Sequence, residues 1–541
     1  MLKRMLCRGI IISISLTFLP LYAGDYDELQ KLVASDRAME DHFGCSVSIS
    51  GDYAIVGAYR EDEDSTGNNY MSWAGSAYIY YWDGETWELQ AKLVASDRST
   101  SDYFGKCVAI SGDLAIVGAP YEDDDAAGEN FASSAGSAYI FKREGTGWDQ
   151  QAKLVASDRT YNDYFGRSVS ISGNYAIVGV PEEDEDASGE NRLSNAGSAY
   201  IFYWDGLSWT QQAKIVASDR DYSEYFGYSV SISGDYAIIG AINANTAYIF
   251  KRNGTDWEEQ SLIRSSDRIS GDYFGYSVSI SGEYAIVGAI YEDEDVSGGN
   301  TLSNAGSAYI FKRDGVNWEQ QAKIVASDRD ENDAFGYSVS ISGNHAIVSA
   351  FYESENVPGD NTLPYAGSAY IYKRDGISWG QQAKIVPLDR ESSDYFGTSV
   401  SIYGDHAIVG AEFEDENAFG SDSLYDAGSA YIFSITGNDV GISAHNIPRK
   451  FVLENNRPNP FNPQTTISYS IFAGATMDRQ LSVDLSIFNM SGQKVATLVN
   501  EIQSTGYHSV TWDASGLSSG IYFYRLTAGD FVDTKKMVFM K

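Results

Sequence analysis

One pattern is written seven times between Asp27 and Phe433, and it limits what this chain can fold into more than any other feature. Each copy is anchored by a Phe-Gly pair: Phe43-Gly44, Phe104-Gly105, Phe165-Gly166, Phe226-Gly227, Phe274-Gly275, Phe335-Gly336 and Phe396-Gly397. Successive spacings are 61, 61, 61, 48, 61 and 61 residues. A unit this short cannot bury its own apolar face, so the period predicts small sheets covered by their neighbours. Within a copy the runs are short, rich in Val, Ile, Tyr and Ala, and bounded by turn residues. The second copy reads Cys107–Ser111, a Gly112-Asp113 turn, Leu114–Ala119, an acidic loop, then Gly136–Phe141. Asp83-Gly84 and Asn253-Gly254 suit tight hairpin turns. Runs such as Tyr53–Ala58 and Ala77–Trp82 are apolar at odd and even positions alike, which requires cover on both faces. Radially packed four-stranded sheets supply it. The expected fold is all-β, a seven-bladed β-propeller, with an open stack of sheets as the alternative.

The ends of the array point to closure. Outer strands begin at Lys31, Lys92, Lys153, Lys214, Leu262, Lys323 and Lys384, yet the last copy stops at Phe433 without one, while the first is preceded by an orphan, Leu29–Ser35. The orphan is expected to complete the seventh sheet, leaving no open edge.

In the second copy, Phe104-Gly105 is followed thirteen residues later by Gly118-Ala119-Pro120. This resembles the FG-GAP repeat of the integrin α-chain propeller and of many bacterial surface proteins. The resemblance implies an extracellular propeller used in adhesion or ligand binding. That family commonly carries a calcium loop between its first and second strands. Here the place is a minimal turn, Gly51-Asp52 or Gly282-Glu283, so that site is not carried over.

Acidity sits in the next loop instead. Asp62, Asp64, Gly67 and Asn69 recur as Asp123, Asp125, Gly128 and Asn130; as Asp184, Asp186, Gly189 and Asn191; and as Asp293, Asp295, Gly298 and Asn300. The seventh copy reads Asp415, Asn417, Gly420 and Asp422, and the sixth keeps Asn356, Gly359 and Asn361. Carboxylates two apart, a sharp glycine turn and a further oxygen donor suit a hard cation, so calcium is a candidate ligand of these aspartates and asparagines. The competing reading is a solvated loop whose Asx side chains bond their own backbone.

Other recurring residues read as structural. Ser-Asp-Arg, as at Asp97-Arg98, with an acid two residues before the Phe (Asp102, Asp163, Asp272), suggests a blade-to-blade ion pair rather than a functional arginine ring. Trp87, Trp148, Trp209, Trp257, Trp318 and Trp379 suggest blade-edge packing, and His345 and His406 replace a repeated Tyr. Cys45 and Cys107 follow their Phe-Gly pairs by one and two residues, so they face opposite sides of a strand. Two buried thiols are the plainer expectation, and a disulfide the alternative. No nucleophile elbow, phosphate loop or zinc pattern is present, and no catalytic residue is assigned.

Net charge is −37. The first 23 residues carry +3 and the segment from Phe451 is neutral, so residues 24–450 carry −40. Such a field repels nucleic acid, which is excluded as a partner, and anionic membrane surfaces. Lys3, Arg4 and Arg8 followed by apolar Gly9–Leu21 read as a signal peptide over residues 1–23, and no later run is long enough for a membrane span. The propeller is assigned to residues 24–436 and a linker to 437–450.

Residues 451–541 hold about seven short strands, expected as an immunoglobulin-like sandwich. The segment from Arg457 through Pro458-Asn459-Pro460-Phe461-Asn462-Pro463, the Leu517–Tyr522 stretch and Lys535-Lys536 resemble the C-terminal sorting domain of the type IX (Por) secretion system. That resemblance implies export through the outer membrane and contact with the secretion machinery. The leading functional expectation is a secreted or cell-surface binding module, not an enzyme, presenting loops to a glycan, polymer or protein. A propeller hydrolase of an extracellular polymer and a passive surface-layer component are the alternatives.

Overall fold

Seven four-stranded antiparallel sheets are present; six run in chain order from an inner to an outer strand, and the seventh takes its outer strand from ahead of the first blade. The first blade comprises Phe43–Ser50, Tyr53–Ala58, Ser76–Trp82 and Trp87–Leu93; the fourth comprises Phe226–Ser233, Tyr236–Ala241, Thr246–Asn253 and Asp256–Ile263. This computed structural model describes residues 26, 28–67, 69–189, 191–355, 363–416 and 423–435, then 452–453, 456, 459–471, 480–504, 506–529 and 531–541. The expected signal peptide, the linker, and the loop residues Asn356, Gly359, Asn361, Asn417, Gly420 and Asp422 lie outside them. Among the described residues there is no helix.

Closure occurs as the orphan strand predicts. Glu28–Leu32 pairs antiparallel with Ser429–Ser434, with Gln30 opposite Ile432 and Leu32 opposite Ala430, and so completes the blade of Val400–Tyr403 and His406–Ala411. The outer strands are placed slightly earlier than the sequence suggests. The first blade's spans Trp87–Leu93 rather than beginning at Lys92, because the chain leaves the sheet into the Ser-Asp-Arg turn.

Both halves of the repeat motif serve the blade interfaces. At six of the seven interfaces the glycine after Phe meets a glycine near the end of the preceding blade's second strand; at the other, Gly397 meets Ser349. A Cβ on Gly57 would lie 2.0 Å from Gly105 O, and one on Gly105, at φ +93°, 2.2 Å from Ser76 O. Glycine is the side chain this approach admits.

The inner strands have a second device. A first strand has one edge without a strand partner, and its N–H groups need acceptors. Ser46 Oγ accepts from Val108 N at 3.0 Å and Ser48 Oγ from Ile110 N at 3.2 Å. The same relation joins Ser338 to Val400 and Ser340 to Ile402, then crosses the closure from Ser399 to Val47 and Ser401 to Ile49. The Ser-Val-Ser-Ile-Ser pattern is therefore a girdle around the axis. In the second blade Cys107 Sγ takes a serine's place, accepting from Val169 N at 3.3 Å. Cys45 and Cys107 are unpaired thiols, and Cys45 donates to Gly105 O.

At the rim, Trp148, Trp209, Trp257, Trp318 and Trp379 each donate Nε1 to a Gln of the neighbouring outer strand, as Trp148 does to Gln90 at 2.8 Å. They pack blade edges. His406 sits against Trp82 and Trp87, the environment in which Tyr53 meets Trp148.

The C-terminal unit is separate and contains two sheets. One joins Val452–Leu453, Gln464–Ile471 and Gly506–Asp513; the other joins Lys494–Ser504, Gln480–Asn489, Gly520–Ala528 and Phe531–Phe539. Ile467, Tyr469 and Trp512 share one core with Leu485, Tyr524 and Met537, as a sandwich requires. Phe461 is buried there, 5.2 Å from Phe539 and 5.6 Å from Trp512 between ring centroids.

Candidate functional site

All long loops gather on one face. Arg98, in the connection between the first two blades, donates to the carbonyls of Asp62 and Asn69 in the acidic loop, both at 2.9 Å. The tight turns meet on the other face, where Arg143 pairs with Asp113 and its N–H bonds Asp113 O.

Within each acidic loop the expected metal-ligating residues bond different parts of the loop. Asp62 accepts from Trp73 N, Asp123 from Ser134 N, Asp184 from Asn195 N and Asp293 from Asn304 N. Asp64, Asp125, Asp186 and Asp295 each accept from the backbone N–H two residues on. Asn69, Asn130 and Asn191 turn their amide NH2 groups to Asp64, Asp125 and Asp186. Asn300 offers its carbonyl to Arg329, as Asn69 does to Arg98. These bonds hold Asp125 and Asp295 down at about 2.

The Ser-Asp-Arg element divides its work between two blades. Its arginine clamps the preceding blade's loop through carbonyls, while its aspartate pairs with a lysine of the following blade. Lys92 Nζ lies 2.6 Å from Asp36 and 2.7 Å from Glu61, and Tyr78 also donates to Asp36 at 2.7 Å. Equivalent triads are Lys31/Asp389/Glu414, Lys153/Asp97/Glu122, Lys214/Asp158/Glu183, Lys323/Asp267/Glu292 and Lys384/Asp328/Glu353. The carboxylates that crowd together, Asp36 with Glu61 and Glu63 and Asp389 with Glu414 and Glu416, thus already enclose an ammonium. The acid before the Phe does not pair with the arginine; Asp102 instead caps its own turn, accepting from Ser99 N.

The fourth blade departs as a unit. Its shortened loop supplies no glutamate, Leu262 stands for the lysine, and Asp219 takes Tyr248 OH and, at 3.5 Å, Arg264. The shortened loop is tied to its neighbours: Asn243 donates to Ser223 O, and Asn245 donates to Ile269 O and accepts from Phe274 N.

The axis mouth on the loop face is where the seven copies differ most. The residue before each Phe (His42, Tyr103, Tyr164, Tyr225, Tyr273, Ala334, Tyr395) has φ between 53° and 57°, a strained setting outside glycine. The residue after each Phe-Gly is Cys45, Lys106, Arg167, Tyr228, Tyr276, Tyr337 or Thr398. From these positions ring contacts run through Tyr164, Tyr121, Tyr103, Tyr59, His42, Phe413, Tyr395, Phe351, Tyr337, Tyr276 and Tyr228, with centroids 4.2–5.3 Å apart. Arg167 then lies 5.4 Å over Tyr228. Beside this belt, Lys106 Nζ sits 3.8 Å over Tyr59, and Glu412 is buried 3.8 Å from His42. Burial and the nearby cations push His42 down to about 3, and burial raises Glu412. The Tyr before Phe recurs in five copies, but the residue after Phe-Gly and those such as Tyr59, Phe413 and Glu412 carry no periodic signal; what marks the former is variation at one position of the repeat.

Comparison with known families agrees with this architecture. Seven copies of the FG-GAP repeat match residues 26–80, 87–141, 148–202, 209–252, 257–311, 318–372 and 379–433. The chain belongs to the FG-GAP repeat family. Residues 457–540 of this FG-GAP protein match the secretion system C-terminal sorting domain, so it is exported by type IX secretion to the cell surface or beyond. Among curated proteins none matches. Solved structures similar to the FG-GAP protein include a candidate 6-phosphogluconolactonase from Bacteroides uniformis (10% identity, 63% of this chain and 85% of that one, TM-score 0.41). Others are the WD40 domain of Toxoplasma gondii coronin (9%, 78% and 90%, TM-score 0.41) and a catalytically inactive virginiamycin B lyase from Staphylococcus aureus (7%, 76% and 100%, TM-score 0.43). Similarity at this level has no bearing on activity.

Proposed function

We propose that this exported propeller is a binding module that receives an extracellular glycan, polymer or protein on its loop-rich face, centred on the mouth of its axis. The observation carrying this reading is where the copies cease to be alike. Triads recur in every blade but the fourth, and the girdle and rim tryptophans repeat because they hold blade to blade, whereas the ring after Phe-Gly runs Cys, Lys, Arg, Tyr, Tyr, Tyr, Thr. A scaffold with no ligand has no use for five kinds of residue at one position of its repeat. The loop face also exposes Tyr70, Phe131, Tyr161, Tyr222, Tyr365 and Tyr425, the amphipathic side chains that recognition surfaces favour. Full-length protein screened on glycan and protein arrays tests the reading. Alanine at Tyr276 and Tyr337 is expected to abolish capture of the ligand found, while alanine at Asp113, on the short-turn face, leaves it intact. The reverse outcome would move the binding face to the short turns.

A further inference from the structure

The mouth is unlike the rest of the domain in charge as well as shape. Residues 24–450 carry −40, and the propeller lysines of the triads all face carboxylates. Lys106 and Arg167 make no such close pair, although their charges reach Glu412 and Glu182 respectively. They occupy the same position on consecutive blades, half-buried, each laid on a tyrosine ring, and among the described residues neither has a carboxylate within ion-pair distance. Arg60 adds a third positive charge nearby, over Tyr59 and Trp73. Fields from the outer acids fade over about 8 Å in physiological salt, so these local cations set the potential that a bound group meets.

Shape is equally one-sided. Tyr228, Tyr276 and Tyr337 line one half of the ring, in contact at 5.3 and 5.2 Å, while the smaller Thr398 and Cys45 take the equivalent positions of the other half. In that half a Glu412 oxygen and both His42 nitrogens are buried with no hydrogen-bond partner. Leaving buried polar atoms unsatisfied is costly, and a ligand hydroxyl reaching them would recover that cost.

Aromatic faces, two unpaired cations and orphaned acceptors complement one kind of small molecule. A sugar ring has an apolar C–H face for the tyrosines, and hydroxyls that both donate and accept for Glu412 and His42. A carboxylate on that ring answers Lys106 and Arg167. We propose that the mouth of the axis binds a saccharide ring bearing a carboxylate, a uronic-acid type of ligand. This rests on the binding-module reading above and names its ligand class.

The probes are the methyl glycosides of glucuronate and galacturonate, with those of glucose and galactose as neutral partners, in saturation-transfer NMR and calorimetry on the full chain. At least one uronate is expected to bind, at least tenfold more tightly than its neutral partner. Lys106→Ala and Arg167→Ala are each expected to weaken it at least tenfold, Thr398→Trp to block it, and Asp113→Ala to leave it unchanged. The cation variants alter half-buried surface positions, and unchanged thermal melting verifies their fold. Absence of uronate binding to folded wild type overturns the proposal, as does affinity surviving both cation variants. If no sugar binds but an array-selected protein ligand is lost with Tyr276→Ala, the binding face stands and the saccharide assignment falls.

Discussion

Lys92 and Glu61 meet at 2.7 Å with both side chains withdrawn from solvent, and Asp36 reaches them from the connection that precedes the blade. The triad is an internal cation site whose cation is covalently attached. The fourth blade, which lacks the glutamate-bearing loop, also lacks the lysine and carries Leu262. The buried lysine and glutamate are thus kept or dropped together while Asp219 remains with Arg264, as expected when an unpaired buried ion costs more than a missing pair.

Lys92→Met should therefore destabilise strongly, by about 3–5 kcal/mol, because it leaves Glu61 buried without its counter-ion. Urea unfolding of the full chain measures this. The double variant Lys92→Met/Glu61→Gln should recover a large part of the loss. No recovery would mean that packing of the lysine stem, not charge, dominates.

Stability should fall as pH rises. Burial lifts the carboxyls of Asp41 to about 8, of Asp102, Asp333 and Asp394 to about 7, and of Asp163 and Asp272 to about 6. In the unfolded chain each ionises near pH 4, at roughly 3.9. The folded state therefore holds protons that the unfolded state releases. Their contribution is complete below about pH 4 and is lost as pH climbs through 6 to 8. Melting temperature should decline between pH 5 and pH 8.5, and Asp102→Asn with Asp333→Asn should flatten the decline. A melting temperature that rises over that interval would rule the mechanism out.

Removing residues through Arg37 should leave Ser429–Ser434 as an open strand edge. A lower melting temperature and concentration-dependent association, followed by light scattering, are expected. A truncated protein that stays monomeric and melts unchanged would contradict closure.

Calcium can be tested at the acidic loops by melting with excess calcium and then with chelator. Asp64 and Asp125 already accept two and more donors from their own loops, and Asn69 and Asn130 present NH2 groups to them. A cation would have to displace those donors and reverse the asparagines. The expected outcome is no shift beyond that of matched ionic strength. A calcium-specific rise in melting temperature would show that the loops rearrange around the ion.

The fold was legible because its cause is repetitive: Phe-Gly recurs at every blade interface, facing a glycine at all but the one with Ser349, and the orphan Leu29–Ser35 announced the closure. The Ser-Asp-Arg element was half legible. Its aspartate does form an ion pair between successive segments, but with a lysine on the following blade, while Arg98 bonds carbonyls, a preference that composition cannot reveal. The mouth was not legible. Tyr103, Tyr121, Lys106 and Glu412 sit at strand ends, where single side chains look incidental until seven blades bring them to one axis. The loop aspartates drew attention through their density, yet Asp62 and Asp64 bond different parts of their loop.

The pairing of Glu28–Leu32 with Ser429–Ser434 also fixes an order of events during export. Strands made almost first must wait for strands made almost last, so no partial chain contains a finished ring. The serine girdle shares this delay, since Val47 and Ile49 take their acceptors from Ser399 and Ser401. A chain lacking either segment therefore has an unclosed sheet, and the ring is complete only when the whole length from Glu28 through Ser434 has folded.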